Sequence, residues 1–167
     1  REINNSVNNL SLEKTYPGIS YGAVYIQGLE KVDTLRSSST ALSIKKYLYR
    51  DDEMIDDKTI LNIGDVVRVH LVIESPIYMD FVQIKDPLYS CMQPRQQLST
   101  ILGQGDIEYN KQVENASINL FIDKLRKGVH TIDYDVYITK RGSYKSGLTT
   151  AESAYFPMLR SFASSQT

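Results

Sequence analysis

The single cysteine, Cys91, carries the most nucleophilic type of side chain in this 167-residue sequence. A thioester needs a cysteine followed three residues later by a glutamine, so that thiol and amide condense in a tight turn. Here Gln93 comes two residues after Cys91, and Pro94 stands where the glutamine would be required. One cysteine also allows neither an internal disulfide nor a cysteine-based metal cluster. We therefore predict a free thiol at Cys91 that is buried or half-buried.

The two histidines, His70 and His130, are the next candidates for a base or a metal ligand. Both lie in segments with strand-like alternation, and neither has a Cys, His or Asp neighbour at metal-ligand spacing. We predict two solvent-facing strand histidines.

An acidic cluster precedes the longest apolar alternation, but it lacks the spaced loop with glycine that supplies calcium with about six to eight oxygen ligands. A solvated turn is therefore predicted for Asp51, Asp52, Glu53, Asp56 and Asp57.

Paired acids and tyrosines complete the set of candidate chemical groups. Asp133 and Asp135 share one face of a predicted strand, about 7 Å apart, which is a separation that glycosidases use but exposed strand acids share. An aromatic platform could use four tyrosines, although packing in the core and sheet is their commoner role: Tyr21, Tyr25, Tyr134 and Tyr155. Neither the Gly-x-Ser-x-Gly elbow nor a complete dinucleotide-binding glycine motif occurs. We therefore predict no enzyme: no catalytic residue, no cofactor and no metal.

The clearest structural element is the segment from Val66 to Glu74. Val67, Val69, Leu71 and Ile73 alternate with polar residues, a period of two that a strand satisfies and a helix does not. A second run, Tyr78 to Lys85, follows a short break at Ser75-Pro76. Two adjacent strands joined by a short turn predict a hairpin whose apolar face other strands must cover.

Strand patterns recur along most of the chain. They cover Ile19–Gln27, Ala41–Arg50, Ala116–Leu125, Val129–Thr139 and Tyr144–Phe156. The segment Leu88–Asn110 is too long for a structureless connection. It should cross between sheets with short strands, and one helical turn could form between Gln96 and Leu102. The fold class is therefore all-β: an antiparallel, immunoglobulin-like sandwich of about seven to nine strands with at most one short helical turn.

Composition limits the partners of this domain. The net charge is −1 with both signs dispersed, which argues against a nucleic-acid or anionic-membrane surface. No apolar run approaches the ~18 residues that a transmembrane helix needs. One sandwich domain over residues 1–167 is expected, with 1–15 and 160–167 loose. The chain opens with Arg1 rather than Met and shows no signal peptide, which suggests a fragment of a larger multidomain protein.

Motifs between residues 19 and 157 resemble, in one order, the last macroglobulin-type domain of bacterial alpha-2-macroglobulins. The segments that carry the resemblance are Tyr21-Gly22-Ala23-Val24-Tyr25-Ile26-Gln27, Leu42–Arg50, Gly64–Val69, Met79–Pro87, Ala116–Asp123, and Lys127-Gly128 followed by Asp133-Tyr134. Two departures stand out. Tyr21 replaces a tryptophan, and the family's terminal Tyr-Ala-Pro-Glu-Phe appears as Tyr155–Leu159 without its carboxylate.

The resemblance implies a role inside a larger protease-trapping protein, an endopeptidase inhibitor of the periplasm or cell envelope. In such proteins a bait segment is cleaved, and in some members a thioester then captures the protease. The terminal, receptor-binding-like domain is not reactive and packs beside the thioester-type domain. Its partners would be neighbouring domains of the parent chain and, through the full-length protein, target proteases. The candidate interface residues are Tyr155, Phe156, Pro157, Met158 and Leu159.

A second interpretation stays open. A carbohydrate-binding or adhesin-like β-sandwich module could use the same fold and present tyrosines to a glycan.

Overall fold

A computed structural model describes residues 13, 15–19, 21, 38–39, 42–56, 58–156 and 158–163. Within this part of the chain, twelve strands form: β1 Ser38–Ser39, β2 Ser43–Arg50, β3 Glu53–Met54, β4 Val66–Ser75, β5 Met79–Pro87, β6 Met92–Pro94, β7 Thr100–Gln104, β8 Ile107–Val113, β9 Ser117–Leu125, β10 Gly128–Ile138, β11 Thr149–Ser153 and β12 Arg160–Ala163. The described residues include no apolar helix of the length that a membrane crossing requires.

Two antiparallel sheets face each other. The seven-stranded sheet has the order β1-β12-β11-β5-β9-β8-β7, and the five-stranded sheet has the order β3-β2-β4-β10-β6. The predicted all-β antiparallel sandwich is therefore confirmed. The strand count exceeds the predicted seven to nine because strands as short as β1, β3 and β6, with two or three residues each, are too short to show a period.

The predicted alternation builds the core. On β4, Val67, Val69, Leu71 and Ile73 are fully buried, while their polar neighbours face outward. On β10, alternate residues are buried in the same way: Ile132, Tyr134, Val136 and Ile138. The two strands pair in register, with Ile132 opposite Leu71. These apolar faces meet the buried side of β5 and β9 across the sandwich, including Ile84 and Leu120.

The predicted hairpin between β4 and β5 is wrong. β4 pairs with β2 and β10, whereas β5 pairs with β9 and β11 in the other sheet. The connection through Pro76 crosses from one sheet to the other, and the Ser75 hydroxyl donates to the Ile77 carbonyl oxygen over 2.6 Å. Crossing places the two apolar faces against each other, whereas a hairpin would have put both in one layer and left them uncovered.

Two further expectations need correction. Gln96–Leu102 does not form a helical turn, because Thr100 to Gln104 pair with β8 as strand β7. The C-terminal segment is not loose at its start, because Arg160–Ala163 form β12 between β11 and β1. The segment Tyr144–Phe156 contributes a strand only over Thr149–Ser153. By contrast, Leu88–Asn110 crosses between the sheets with short strands, as predicted.

Several expectations fall on residues outside the described ones. Of the predicted strand Ile19–Gln27, only Ile19 and Tyr21 are described, and neither lies in a strand. Also outside the described residues are Gly22, Tyr25, Asp57, Pro157, residues 1–12 and residues 164–167.

A buried carboxylate joins the two sheets. Asp86 on β5 is fully buried, and its Oδ1 lies 2.7 Å from the Lys46 Nζ on β2 of the opposite sheet. The Thr149 hydroxyl donates to the same oxygen over 2.5 Å, and the Tyr134 hydroxyl on β10 donates to Oδ2. The Lys46 ammonium also lies 5.6 Å from the ring centre of Tyr89. Burial and the Asp86 carboxylate raise the pKa of Tyr134 well above its usual value, so that its hydroxyl stays a donor.

Removing this carboxylate should therefore destabilise the sandwich strongly. We expect Asp86→Ala to lower the free energy of unfolding by about 3–5 kcal/mol, because it leaves the Lys46 ammonium buried without its counter-charge. Adding Lys46→Met should recover part of that loss, since the unpaired charge is then gone. Urea-induced unfolding measures both effects.

Lys45→Met is the matched control, because Lys45 precedes Lys46 on β2 but faces solvent. It should change the free energy of unfolding by no more than about 0.5 kcal/mol. A loss below about 1 kcal/mol for Asp86→Ala would show that the carboxylate does not hold the sheets together.

Candidate functional site

The loop between β11 and β12 exposes three of the five predicted interface residues. The exposed fractions are 66% for Tyr155, 65% for Phe156 and 84% for Met158. Leu159 instead turns inward and packs against the core, and Pro157 lies outside the described residues. Three large apolar side chains of one short loop are thus presented to solvent.

Main-chain hydrogen bonds fix the shape of this loop. The Ser153 amide donates to the Leu159 carbonyl over 3.1 Å, and the Leu159 amide donates to the Phe156 carbonyl over 2.7 Å. The Ala154 amide donates to the carbonyl of Phe81 on β5 over 2.9 Å. Main-chain hydrogen bonds therefore hold the loop that carries the exposed side chains, both at its ends and within its turn.

Phe81 extends the exposed surface, and its backbone has an unusual conformation. Its φ of 52° lies in the left-handed region, which a bulky residue rarely adopts. The alternation of β5 shifts there, so that Met79 and Val82 both face inward and Asp80 and Phe81 both face outward. The Phe81 ring meets Tyr155 edge-to-face, with 5.4 Å between ring centres. We call Phe81, Tyr155, Phe156 and Met158 the apolar patch.

A family comparison accounts for the fold that carries this patch. The model of the bacterial alpha-2-macroglobulin MG10 domain matches residues 42–157, which is more than half of the chain. The chain belongs to this family. The resemblance to a macroglobulin-type domain of bacterial alpha-2-macroglobulins is thus confirmed, and Phe81, Tyr155 and Phe156 of the apolar patch lie within the matched residues.

Solved alpha-2-macroglobulins share the fold. The chain is similar to the Salmonella protein reacted with methylamine, with a TM-score of 0.66 and 18% identity over 78% of this chain and 9% of that one. For the trypsin-activated Escherichia coli protein the TM-score is 0.66, with 13% identity over 80% and 10% of the two chains. For the native Escherichia coli protein from domain MG7 to the C-terminus the TM-score is 0.66, with 17% identity over 77% of this chain and 23% of that one.

The chain thus spans less than a quarter of each of these relatives, and at these identities the likeness establishes the fold alone. No curated protein matches the chain.

The histidines differ from each other. His70 is partly exposed on the outer face of the five-stranded sheet, and its Nδ1 lies 2.6 Å from Asp133 Oδ1. His130 is buried, which corrects the prediction that it faces solvent. Its position has the same parity as the inward-facing Ile132, so the alternation itself would have placed it inside. A buried imidazole needs polar partners for its ring nitrogens.

Those partners exist at the ends of two turns. His130 Nδ1 lies 2.8 Å from the Asp106 carboxylate in the β7–β8 turn, and Nε2 lies 2.8 Å from the Arg126 carbonyl before β10. Each ring nitrogen of the buried imidazole thus has a polar partner, one in each turn. His130 therefore ties the two turns to β10. The hydrogen bond from His130 lowers the pKa of Asp106 below its usual value.

Cys91 and the acidic residues behave largely as predicted. Cys91 is a buried free thiol, and burial raises its pKa. Asp51 and Asp52 are exposed and lie between β2 and β3. Their φ values of 51° and 66° are those of the two central residues of a type I′ hairpin turn. No metal-binding group of acidic, histidine or cysteine side chains occurs among the described residues. Asp133 and Asp135 are engaged separately, with His70 and with Arg95.

The three described tyrosines among the four candidates do not form one platform. Tyr134 is buried with its hydroxyl on Asp86, Tyr155 belongs to the apolar patch, and Tyr21 is 93% exposed. Tyr25 lies outside the described residues. Phe81, which sequence reasoning did not single out for a site, is the aromatic residue that does contact Tyr155. Its left-handed backbone has no signature in the sequence.

The contact of Asp106 with His130 should make stability depend on pH. Because the folded protein lowers the pKa of Asp106 from its usual 3.8, the stabilisation exists above that pH and disappears as acid protonates the carboxylate. We expect Asp106→Asn to reduce stability at pH 6 and to match the unaltered protein near pH 2. Urea unfolding across this range measures the difference. Asp123→Asn, at an exposed site on β9, is the control, and an equal pH effect there would contradict the assignment.

Proposed function

We propose that the chain is a non-catalytic domain at the C-terminus of a larger protease-trapping protein of the bacterial periplasm or cell envelope. In this proposal it docks on a neighbouring thioester-type domain of the same polypeptide and shields that domain. The family supports the setting, since its members come from alpha-2-macroglobulins. Target proteases would meet the full-length protein rather than this domain alone.

The apolar patch is the observation that carries the proposal. Contiguous exposed apolar surface on a soluble domain indicates an interaction site, because leaving it in water is unfavourable. Phe81 and Tyr155 are in contact, and Phe156 and Met158 share the loop of Tyr155. The left-handed backbone at Phe81 supports the same interpretation, since strained residues persist where function requires them.

The sequence of the loop suggests how the docking works. Where the family pattern reads Tyr-Ala-Pro-Glu-Phe, this chain has Tyr155-Phe156-Pro157-Met158-Leu159. A carboxylate is replaced by the thioether of Met158, and a small residue by the ring of Phe156. Burial of apolar area would then provide the binding energy that a charged contact provides elsewhere, at about 25 cal/mol per Å².

Disrupting the apolar patch should loosen the neighbouring domain. In the full-length polypeptide, the double variant Phe156→Ser, Met158→Ser should increase hydrogen exchange on the contacting surface of the neighbouring thioester-type domain. A protease should also cleave that neighbouring domain faster. Both residues are exposed, so the melting temperature of this domain should change little. Hydrogen-exchange mass spectrometry with limited proteolysis measures these effects.

Val129→Ser is the matched control, because Val129 is 64% exposed on β10 and lies outside the apolar patch. Unchanged exchange and cleavage in the double variant would refute the docking. A coding sequence that begins near Arg1, with no further domains upstream, would refute the larger protein itself.

A further inference from the structure

Lys111 occupies an inward position on β8. Ile107 and Tyr109 on the same strand are buried, and Lys111 follows them in the alternation with only 3% of its surface exposed. An apolar residue is the ordinary occupant of such a position, because burying an ammonium group is costly unless it is paired.

The ammonium of Lys111 has no counter-charge among the described residues. Its Nζ donates to the neutral side-chain oxygen of Gln96 over 3.0 Å, which uses one of its three protons. No ion pair of the described chain includes Lys111, in contrast to Lys46, which lies 2.7 Å from Asp86. Burial lowers the pKa of Lys111, as expected for a desolvated charge without a partner.

Lys111 and Gln96 line an open cleft of about 580 Å³ between β6, β8 and β10. This volume lies in the range of small-molecule sites. Its apolar walls are Pro94, Leu102 and Ile118, of which Pro94 and Ile118 are buried.

The other charged residues of this cleft are already engaged. Asp135 lies 3.3 Å from Arg95, and Asp133 binds both His70 and the side chain of Gln104. The charge left without a counter-charge is that of Lys111. The two aspartates on the wall would repel a doubly charged anion such as phosphate, so a single negative charge fits better.

We propose that this cleft binds an aliphatic monocarboxylate, whose carboxylate accepts hydrogen bonds from Lys111. Two ammonium protons remain for the carboxylate oxygens. The hydrocarbon part lies against the apolar wall, of which Leu102 is partly exposed. The proposal is independent of the docking function, because the cleft is lined by residues other than those of the apolar patch.

The binding test uses sodium butyrate as the probe. In the 167-residue chain labelled with ¹⁵N, butyrate should shift the amide resonances of Lys111, Gln96 and Leu102, whereas the neutral butyramide should not. Lys111→Met should weaken butyrate binding about tenfold or more, since it removes a charged hydrogen-bond donor. Absent shifts, equal shifts with butyramide, or unchanged binding by Lys111→Met would each overturn the proposal.

A stability measurement separates a binding residue from a structural one. If a ligand supplies the counter-charge of Lys111, Lys111→Met should raise the melting temperature of the ligand-free chain. The substitution replaces a buried charge without a counter-charge by an apolar side chain of similar length. Butyrate should raise the melting temperature of the unaltered chain and leave that of Lys111→Met unchanged. Lys45→Met on the exposed face of β2 is the control. A lower melting temperature for Lys111→Met would assign Lys111 a structural role and overturn the proposal.

Discussion

The carboxylate of Asp86 is the constraint on which the arrangement of the two sheets depends. A sandwich of apolar faces tolerates some sliding, because the hydrophobic effect has no direction. A fully buried carboxylate does not, since each of its oxygens needs donors at fixed positions. Lys46 and Tyr134 supply those donors from one sheet, and Thr149 supplies another from the sheet of Asp86 itself. The pairing therefore sets which strands of the two layers face each other.

Among the residues that the structure describes, two lysines occupy inward positions, and their surroundings differ. Lys46 has a carboxylate and an aromatic ring as neighbours, which compensates for the cost of burying its charge. Lys111 has a neutral amide and an open cleft. A domain that can satisfy one buried ammonium internally has no structural need to leave the second without a counter-charge, so the difference indicates binding rather than packing.

The sequence predicts the faces of the strands much better than it predicts their partners. Alternation in β4 and β10 identifies the core correctly because burial is a local property of each position. Pairing depends on contacts between distant residues, so the segment between β4 and β5 looks like a hairpin turn although it crosses between sheets. For His130 the predicted outward face is wrong. Its position in the alternation is an inward one, but its partners Asp106 and Arg126 lie in turns whose proximity only the fold creates.

The prediction of an interface at Tyr155–Leu159 rests only on the similarity of this segment to a known loop. Nothing in the composition of Tyr155–Leu159 separates an exposed loop from a buried strand, and Leu159 does pack inward. The sequence does not indicate an outward-facing Phe81, because in a regular strand inward and outward side chains alternate without interruption from Met79 to Val82. The left-handed backbone shifts that alternation and turns an aromatic ring outward against Tyr155. A strained residue that exposes apolar area costs the isolated domain stability twice, which supports the proposal that a partner covers that ring.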